Sequence, residues 1–495
     1  MGDRTIRKIV IVGGGTAGWM AAAPLVQRLG KRAEIVLIES PDIGTVGVGE
    51  ATLPTIRYYN AALGLDQDDF IRKTQASFKL GIEFKDWGQL GNRFFHGFGD
   101  FGPKIDGRSP YMHWLHLARS DPNIPSYENW SMSTVMARNQ RFAMPMDSSP
   151  YSYAFHFDAG LYAAYLREWS MQRGVQRIEA TVAEVELRPD DGFIAALKLK
   201  DGRRIEGELF IDCSGFRGLL IEGALHAGYD DWSEQLPCNS ALAVPCEKVP
   251  KITPFTTSTA KPAGWIWRIP LQHRTGNGHV YSNAFTTDAE AQRVLLEGLD
   301  GKALDEPRQL RFVTGRRRKS WVKNCVAVGL SSGFVEPLES TSINLIENAV
   351  GSLIQYFPDL DFKPELAYEF NRFISKRYES VRDFIIMHYK LTNRTDSEFW
   401  RYCANMKIPD SLQHQIELFR ESGRVAVYDP DGFAEPSFVS MLLGLGVVPQ
   451  TDDPFVAALD RDKLQAHLAA VRATVIKAVS GMPDHTEYLN ANARA

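Results

Sequence analysis

IVIVGGGTAG, residues 9–18, is the stretch that decides the fold. Ile9, Val10, Ile11 and Val12 are four apolar β-branched residues in a row, the pattern of a strand covered on both faces. Gly13, Gly15 and Gly18 follow at the spacing G-x-G-x-x-G. The first permits a tight turn, the second lets the backbone approach a pyrophosphate, and the third lets the next helix lie close to the strand. That helix is predicted from about Thr16 to Leu29, with its N-terminal N–H groups turned to the phosphates. Pro24 inside it removes one backbone hydrogen bond and predicts a kink. A second strand, Glu34 to Ile38, ends at Glu39, whose carboxylate can accept from ribose hydroxyls and would repel a 2′-phosphate. Strand, glycine turn, helix, strand and acid together predict a dinucleotide-binding unit in an α/β fold. The bland alternative is a glycine turn in a parallel sheet with no ligand.

The chain of 495 residues has room for two or three domains. A formal charge of −4 argues against a nucleic-acid partner for the molecule as a whole. No signal-type apolar stretch and no run of transmembrane length is present, so no membrane partner is expected. The five cysteines, at 213, 238, 246, 325 and 403, form no C-x-x-C. No histidine pair completes a zinc pattern, so no metal is expected, and a sparse, odd count suits free thiols in a reducing cytoplasm.

Outward from the fingerprint, Ile43 to Tyr59 carries Gly44, Gly47 and Gly49, a loop placed to cross a flat ligand, and Pro54 then opens a helix. In SFKLGIEFKDW (Ser77 to Trp87), Phe78, Leu80, Ile82 and Phe84 alternate with Lys79, Gly81, Glu83 and Lys85, as in one strand. Periodicity alone makes Lys79 a solvated lysine on an open sheet face. Residues 93–150, rich in rings, Gly, Pro, Met and His, read as an insertion that either walls an aromatic cavity or packs a satellite core. Ala159 to Gly174 is an amphipathic helix. Strands follow in TVAEVELR, FIAALKLK and RRIEGELFID, with a hairpin turn at Asp201-Gly202, and LFIDCSGFRG (Leu209 to Gly218) reads as another buried strand running into Gly215. Val182 is placed to touch an adenine.

Trp232 to Phe285 reads as an antiparallel sheet in which Trp265, Trp267 and Ile269 share one strand face. Arg316 to Lys319 reads as a solvated basic run or a docking patch. CVAVGL, a turn and a helix from Ile343 make up Trp321 to Val350. The N–H groups from about Ser340 to Ile343 are then free to hold an anion, and Glu339 either caps that helix or faces a cavity. Residues beyond Ile354 are mostly helical, apart from a loop-rich stretch, Gly423 to Gln450, with Phe433 and Phe438 at its middle. With one dinucleotide fingerprint and no second, FAD reduced elsewhere is the expected cofactor.

GWIWRIP (Gly264 to Pro270) resembles the W-x-W-x-I-P signature of the flavin-dependent tryptophan halogenase family. GGGTAGW, VGVGEATLPTI, SFKLGIEF, LFIDCSGFRG and VEPLEST resemble that family's blocks in the same order, from Ile9 to Asn348. The resemblance implies a Rossmann-type FAD-binding module over residues 1–350, with a substrate-side sheet near 232–290. A helical region, 351–495, would close the substrate site. It implies FADH2 delivered by a separate flavin reductase, reaction with O2 through a flavin hydroperoxide, and oxidation of bromide or chloride to hypohalous acid. Lys79 falls at the family's relay lysine, which displaces the surface-lysine reading, and Glu339 falls at its catalytic glutamate. The flavin-contacting set implied is Gly13, Gly15, Thr16, Ala17, Gly18, Glu39, Gly49, Ala51, Val182, Leu330 and Ile343. Trp265 and Trp267 would be a wall between flavin and substrate, and Thr341 and Ser342 would hold the halide.

The chain departs from the family in two places. Ser342 stands where the family commonly has glycine, which bears on the choice of halide. His96 and Phe98 resemble the aromatic clamp around an indole, but Phe438 stands where tryptophan-specific members carry a tryptophan. The expected substrate is therefore indole or an indole-like arene ahead of free tryptophan. Two other readings stand beside this one. A flavin monooxygenase is opposed by the tryptophan signature, and a non-catalytic FAD-binding protein by the presence of both Lys79 and Glu339. Monomer and homodimer are both compatible with the sequence.

Overall fold

The computed structural model describes residues 4–41, 49–430 and 432–492; Gly44 and Gly47 of the expected flavin-crossing loop lie outside them. The fingerprint strand forms as Lys8–Val12, with Ile9, Val10 and Ile11 fully buried. It sits inside a six-stranded sheet between Leu209–Asp212 and Glu34–Glu39, both parallel to it. Cys325–Ala327 and Gln176–Glu179 extend the parallel array, and Trp321–Val322 closes one edge antiparallel. This is the α/β, Rossmann-type arrangement expected. The helix Thr16–Leu29 follows as one element with Pro24 inside it. A Cβ on Gly18 would lie 1.9 Å from the Gly13 carbonyl oxygen, whereas one on Gly15 would meet nothing within 4 Å. Gly18 therefore serves helix–strand packing, and Gly15 leaves open space at the helix N-terminus.

A second sheet has seven strands, in the order Arg308–Arg311, Ser240–Glu247, Arg274–Tyr281, Gly264–Pro270, Thr256–Lys261, Gly81–Lys85 and Arg93–Gly97. It is antiparallel except where Thr256–Lys261 meets Gly81–Lys85. Trp267 lies opposite Gly278, where a Cβ would fall 2.0 Å from the indole ring. Only a glycine there lets the ring lie against the neighbouring strand.

Several sequence expectations change. The alternating stretch from Ser77 is two strands, because the chain leaves a small sheet at Ser77–Lys79 and joins the large one at Gly81–Lys85. Both faces of the first are covered: Phe78 stacks on Phe142 at 4.0 Å, and Lys79 is fully buried. Leu209–Asp212 forms as the further buried strand expected, in the parallel sheet, and Arg204–Glu206 before it belongs to a three-stranded sheet. The insertion begins with Arg93–Gly97, which is an edge strand of the large sheet. In the basic run Arg317 is buried and paired with Glu222 at 2.9 Å, so this is no uniformly solvated face.

Beyond residue 350 the chain is helical, and its longest helix is Pro364–Lys390. Phe438, expected in a loop, lies on the helix Glu435–Gly444. The main apolar core runs from Ile6 to Leu489 and so includes side chains from both ends of the chain. Among the described residues no helix is long and apolar enough to cross a membrane, no group of three or more metal-ligating side chains forms, and all five cysteines are free.

Two glycine variants separate packing from cavity. Gly18→Ala is expected to lose about 1–3 kcal/mol of stability, because its Cβ strikes backbone. Gly15→Ala should lose less than about 1 kcal/mol, the scale of a helix N-cap effect. Urea unfolding of the two variants decides this, and equal losses would contradict it.

Candidate functional site

The glycine turn and the substrate-side sheet face a common cavity of about 550 Å³. Gly13, Gly15, Thr16, Ala17 and Glu39 line one part of it. Gly49, Ala51, Val182 and Leu330 line its course, and Ser342, Ile343, Trp265 and Trp267 line the rest. Gly18 is buried behind the turn. Glu39 is also held by the Arg177 guanidinium on the neighbouring strand. Cys213, with its thiol pushed well above the usual range by burial and by Asp212, lines the same wall. A cavity that runs from a helix N-terminus to two indoles fits a long ligand with phosphates at one end and a flat ring at the other. Gly15 supplies the open approach such a ligand needs.

Beside the cavity lies a second, buried centre that gathers side chains from distant parts of the chain. Lys79 Nζ donates to the Thr52 carbonyl at 3.0 Å and to Ser340 Oγ at 2.7 Å, and lies 5.2 Å from the centre of the Phe98 ring. Burial brings its ammonium down to a pKa of about 7, while the Glu339 carboxylate pulls the other way. Ser340 also lines the cavity, so one side chain touches both compartments.

Glu339 is 1 % exposed and does not cap the helix that follows. Its Oε2 meets His96 Nδ1 at 2.9 Å and its Oε1 meets His388 Nε2 at 2.8 Å. Burial raises the carboxyl's pKa, but the charge of His96 and the hydrogen bonds from His388 and His96 outweigh it and hold it at about 2. His96 is therefore committed to a carboxylate as well as lying near the rings of Phe384 and Phe433. Those two rings stack at 3.7 Å, and Phe438 meets Phe384 edge-on at 5.1 Å.

The turn that carries Glu339 is gripped at its other end too. Glu336 Oε2 accepts from Tyr389 Oη at 2.5 Å and from Trp265 Nε1 at 2.9 Å. Burial raises its carboxyl to about 7 despite both donors. Ser340 then takes a left-handed conformation (φ 61°, ψ 35°), uncommon outside glycine, and Thr341 is the N-cap of the helix Ser342–Gln355. No side chain caps that helix, and Thr341 Oγ1 is buried without a partner. An orphaned hydroxyl beside free helix N–H groups suits a small anion.

His388, Glu336 and Tyr389 take part in this centre without having been singled out from the sequence, and Ser340, expected only as a backbone N–H, also brings its hydroxyl to Lys79. Glu336 and Ser340 lie within VEPLEST. For His388 the sequence offers no signal that separates it from any core histidine.

The comparisons with known proteins agree with this geometry. Residues 8–461 match the family model described as tryptophan halogenase. The tryptophan 6-halogenase SttH of Streptomyces toxytricini is 36% identical over 522 residues, covering 99% of each chain. Among solved structures, Xcc4156, a flavin-dependent halogenase from Xanthomonas campestris, superposes with a TM-score of 0.97 at 44% identity and 99% coverage of each chain. BrvH, a flavin-dependent halogenase from Brevundimonas sp. BAL3, gives 0.95 at 45% identity, again over 99% of each.

The opposing charges predict a measurable coupling. The Glu339 carboxylate favours the ammonium of Lys79, so Glu339→Gln should move the Lys79 titration below pH 7. NMR of protein labelled with ¹³Cε-lysine reads this directly, and an unchanged midpoint would refute the coupling.

Proposed function

The chain belongs to the tryptophan halogenase family, flavin-dependent enzymes that take reduced flavin from a separate reductase, and from that premise we propose that it uses FADH2, O2 and bromide or chloride to halogenate indole or an indole-like arene. The observation that carries the reading is the buried Lys79–Ser340–Glu339 arrangement beside the cavity: a lysine brought down to a pKa of about 7 and a carboxylate held ionised, joined through consecutive residues.

When bound, reduced flavin together with O2 supplies the oxidising equivalent that turns halide into hypohalous acid. Gly13, Gly15, Thr16, Ala17, Glu39, Gly49, Ala51, Val182, Leu330 and Ile343 hold the cofactor in this reading, with Gly18 keeping the fingerprint helix against its strand. Thr341 and Ser342 hold the halide through backbone N–H groups at the helix start. Trp265, fixed by Glu336, and Trp267 separate cofactor from substrate. Lys79, poised between ammonium and amine, donates hydrogen bonds to hypohalous acid as the ammonium, or as the free amine exchanges an N–H for the halogen, with loss of water, to give a haloamine. Glu339 stabilises the cationic arenium and receives its proton. His96, Phe98 and Phe438 are the contacts for a flat apolar substrate in this reading, and the stacked Phe384 and Phe433 back them. Residues 1–350 then act as the FAD-binding module and 351–495 as the helical closure of the substrate site.

The test is mass spectrometry of indole incubated with the protein, a flavin reductase, NADH, FAD, O2 and either bromide or chloride. A halogen isotope pattern is expected, lost in Lys79→Ala while flavin oxidation continues. An oxygenated product without halide would favour a monooxygenase instead. Ser342→Gly is expected to change the ratio of brominated to chlorinated product at equal halide, since it removes a hydroxyl and bulk beside the anion; an unchanged ratio would remove Ser342 from halide selection.

A further inference from the structure

Both ring nitrogens of the buried His388 are committed, and together they fix a proton count. Nδ1 lies 2.7 Å from the Phe384 carbonyl oxygen, which can only accept, so Nδ1 carries a hydrogen. Nε2 lies 2.8 Å from Glu339 Oε1. An ionised carboxylate also only accepts, so that bond needs a second hydrogen on the ring; a neutral ring needs it on the carboxyl instead. In either case the pair shares one proton between these two atoms and is neutral as a whole. Two neighbours decide where the proton rests. His96 Nδ1 meets the other carboxylate oxygen at 2.9 Å, and Lys79 is attracted to the same carboxylate from the strand Ser77–Lys79. Both favour negative charge on Glu339. The remaining acid nearby, Glu336, hydrogen-bonds to Tyr389 and Trp265 and makes no hydrogen bond to His388.

We propose that His388 is a positioning residue, held as an imidazolium that orients Glu339 and keeps it ionised. The role it serves rests on the halogenase reading above. In the last step of that reaction the arenium C–H bond breaks, its electron pair returns to the ring, and the proton passes to a Glu339 lone pair that neither histidine uses. Without the imidazolium the same carboxylate, buried and less compensated, binds a proton more readily before the arene arrives.

Two measurements test this. In the whole protein labelled with ¹⁵N-histidine, with His388 identified by its loss in His388→Gln, both of its ring nitrogens should carry hydrogen at neutral pH. The ring should revert to a single neutral tautomer in Glu339→Gln. A neutral His388 in the wild type overturns the proposal, whatever the substrate or halide. Separately, the yield of halogenated indole per flavin oxidised is followed from about pH 5 to about pH 9. His388→Gln keeps an N–H donor but no charge, so the acid limb should move up by about one pH unit or more, with the yield recovering above it. A loss equal at every pH would mean that His388 only packs, and would overturn its positioning role. A wild type that halogenates nothing would defeat the functional reading, while the ¹⁵N spectrum would still decide the state of His388.

Discussion

A carboxylate withdrawn from water is tolerated only where its charge is met, because an uncompensated buried ion costs several kcal/mol. Glu339 is met at both oxygens, by His96 from the edge strand of the large sheet and by His388 from the long C-terminal helix. Much of the local architecture follows from that requirement. The Pro337–Glu339 turn must present the carboxylate inward, and Ser340 accepts a left-handed backbone to do so. The same residue then offers its hydroxyl to Lys79. His388 and Tyr389 are neighbours on one helix and hold Glu339 and Glu336, three residues apart. One helical turn thus fixes both ends of the loop that leads into the helix Ser342–Gln355.

The two compartments divide the physical work. The cavity is built from backbone, with glycines clearing space, a helix terminus supplying N–H groups and two indoles as a wall. The centre beside it is built from charged side chains in a dry surround, where each charge shifts the next. Lys79 is brought down by burial and held up by Glu339, and Glu339 is raised by burial and brought down by its histidines. In such a setting the proton affinity of one group is a property of the cluster.

The fold was legible because its signal is local. Strand, glycine turn, helix and acid lie within thirty-one residues of one another, and their spacing reflects the covalent needs of one turn. The part of the antiparallel sheet within Trp232 to Phe285 was legible for the same reason, through alternation, but its strands Gly81–Lys85, Arg93–Gly97 and Arg308–Arg311 join from outside that stretch. Lys79 was misread by periodicity, since alternation reports two faces of a strand but not what covers them. The same limit hid the break at Leu80, where a continuous alternating pattern spans two sheets. Family resemblance pointed to Lys79 and Glu339, which the structure buries in one centre. His388 stayed hidden because its importance lies in a contact across forty-nine positions, and a histidine on an apolar helix face looks alike whether it grips a carboxylate or fills a gap.

The grip on Glu339 has a consequence for how the chain acquires its form. His96 lies 243 positions before Glu339 and His388 lies 49 after it, so the carboxylate cannot gain both partners until the helix Pro364–Lys390 has been synthesised and docked. Up to that point burying the turn would strand a charge, and the Pro337–Glu339 segment is better left in water or protonated. Contacts of such long sequence separation form late, after loop-closure entropy has been overcome. The paired contacts of Glu339 therefore need both halves of the chain, and a chain that halts before His388 carries the complete glycine fingerprint without one of the two partners of Glu339.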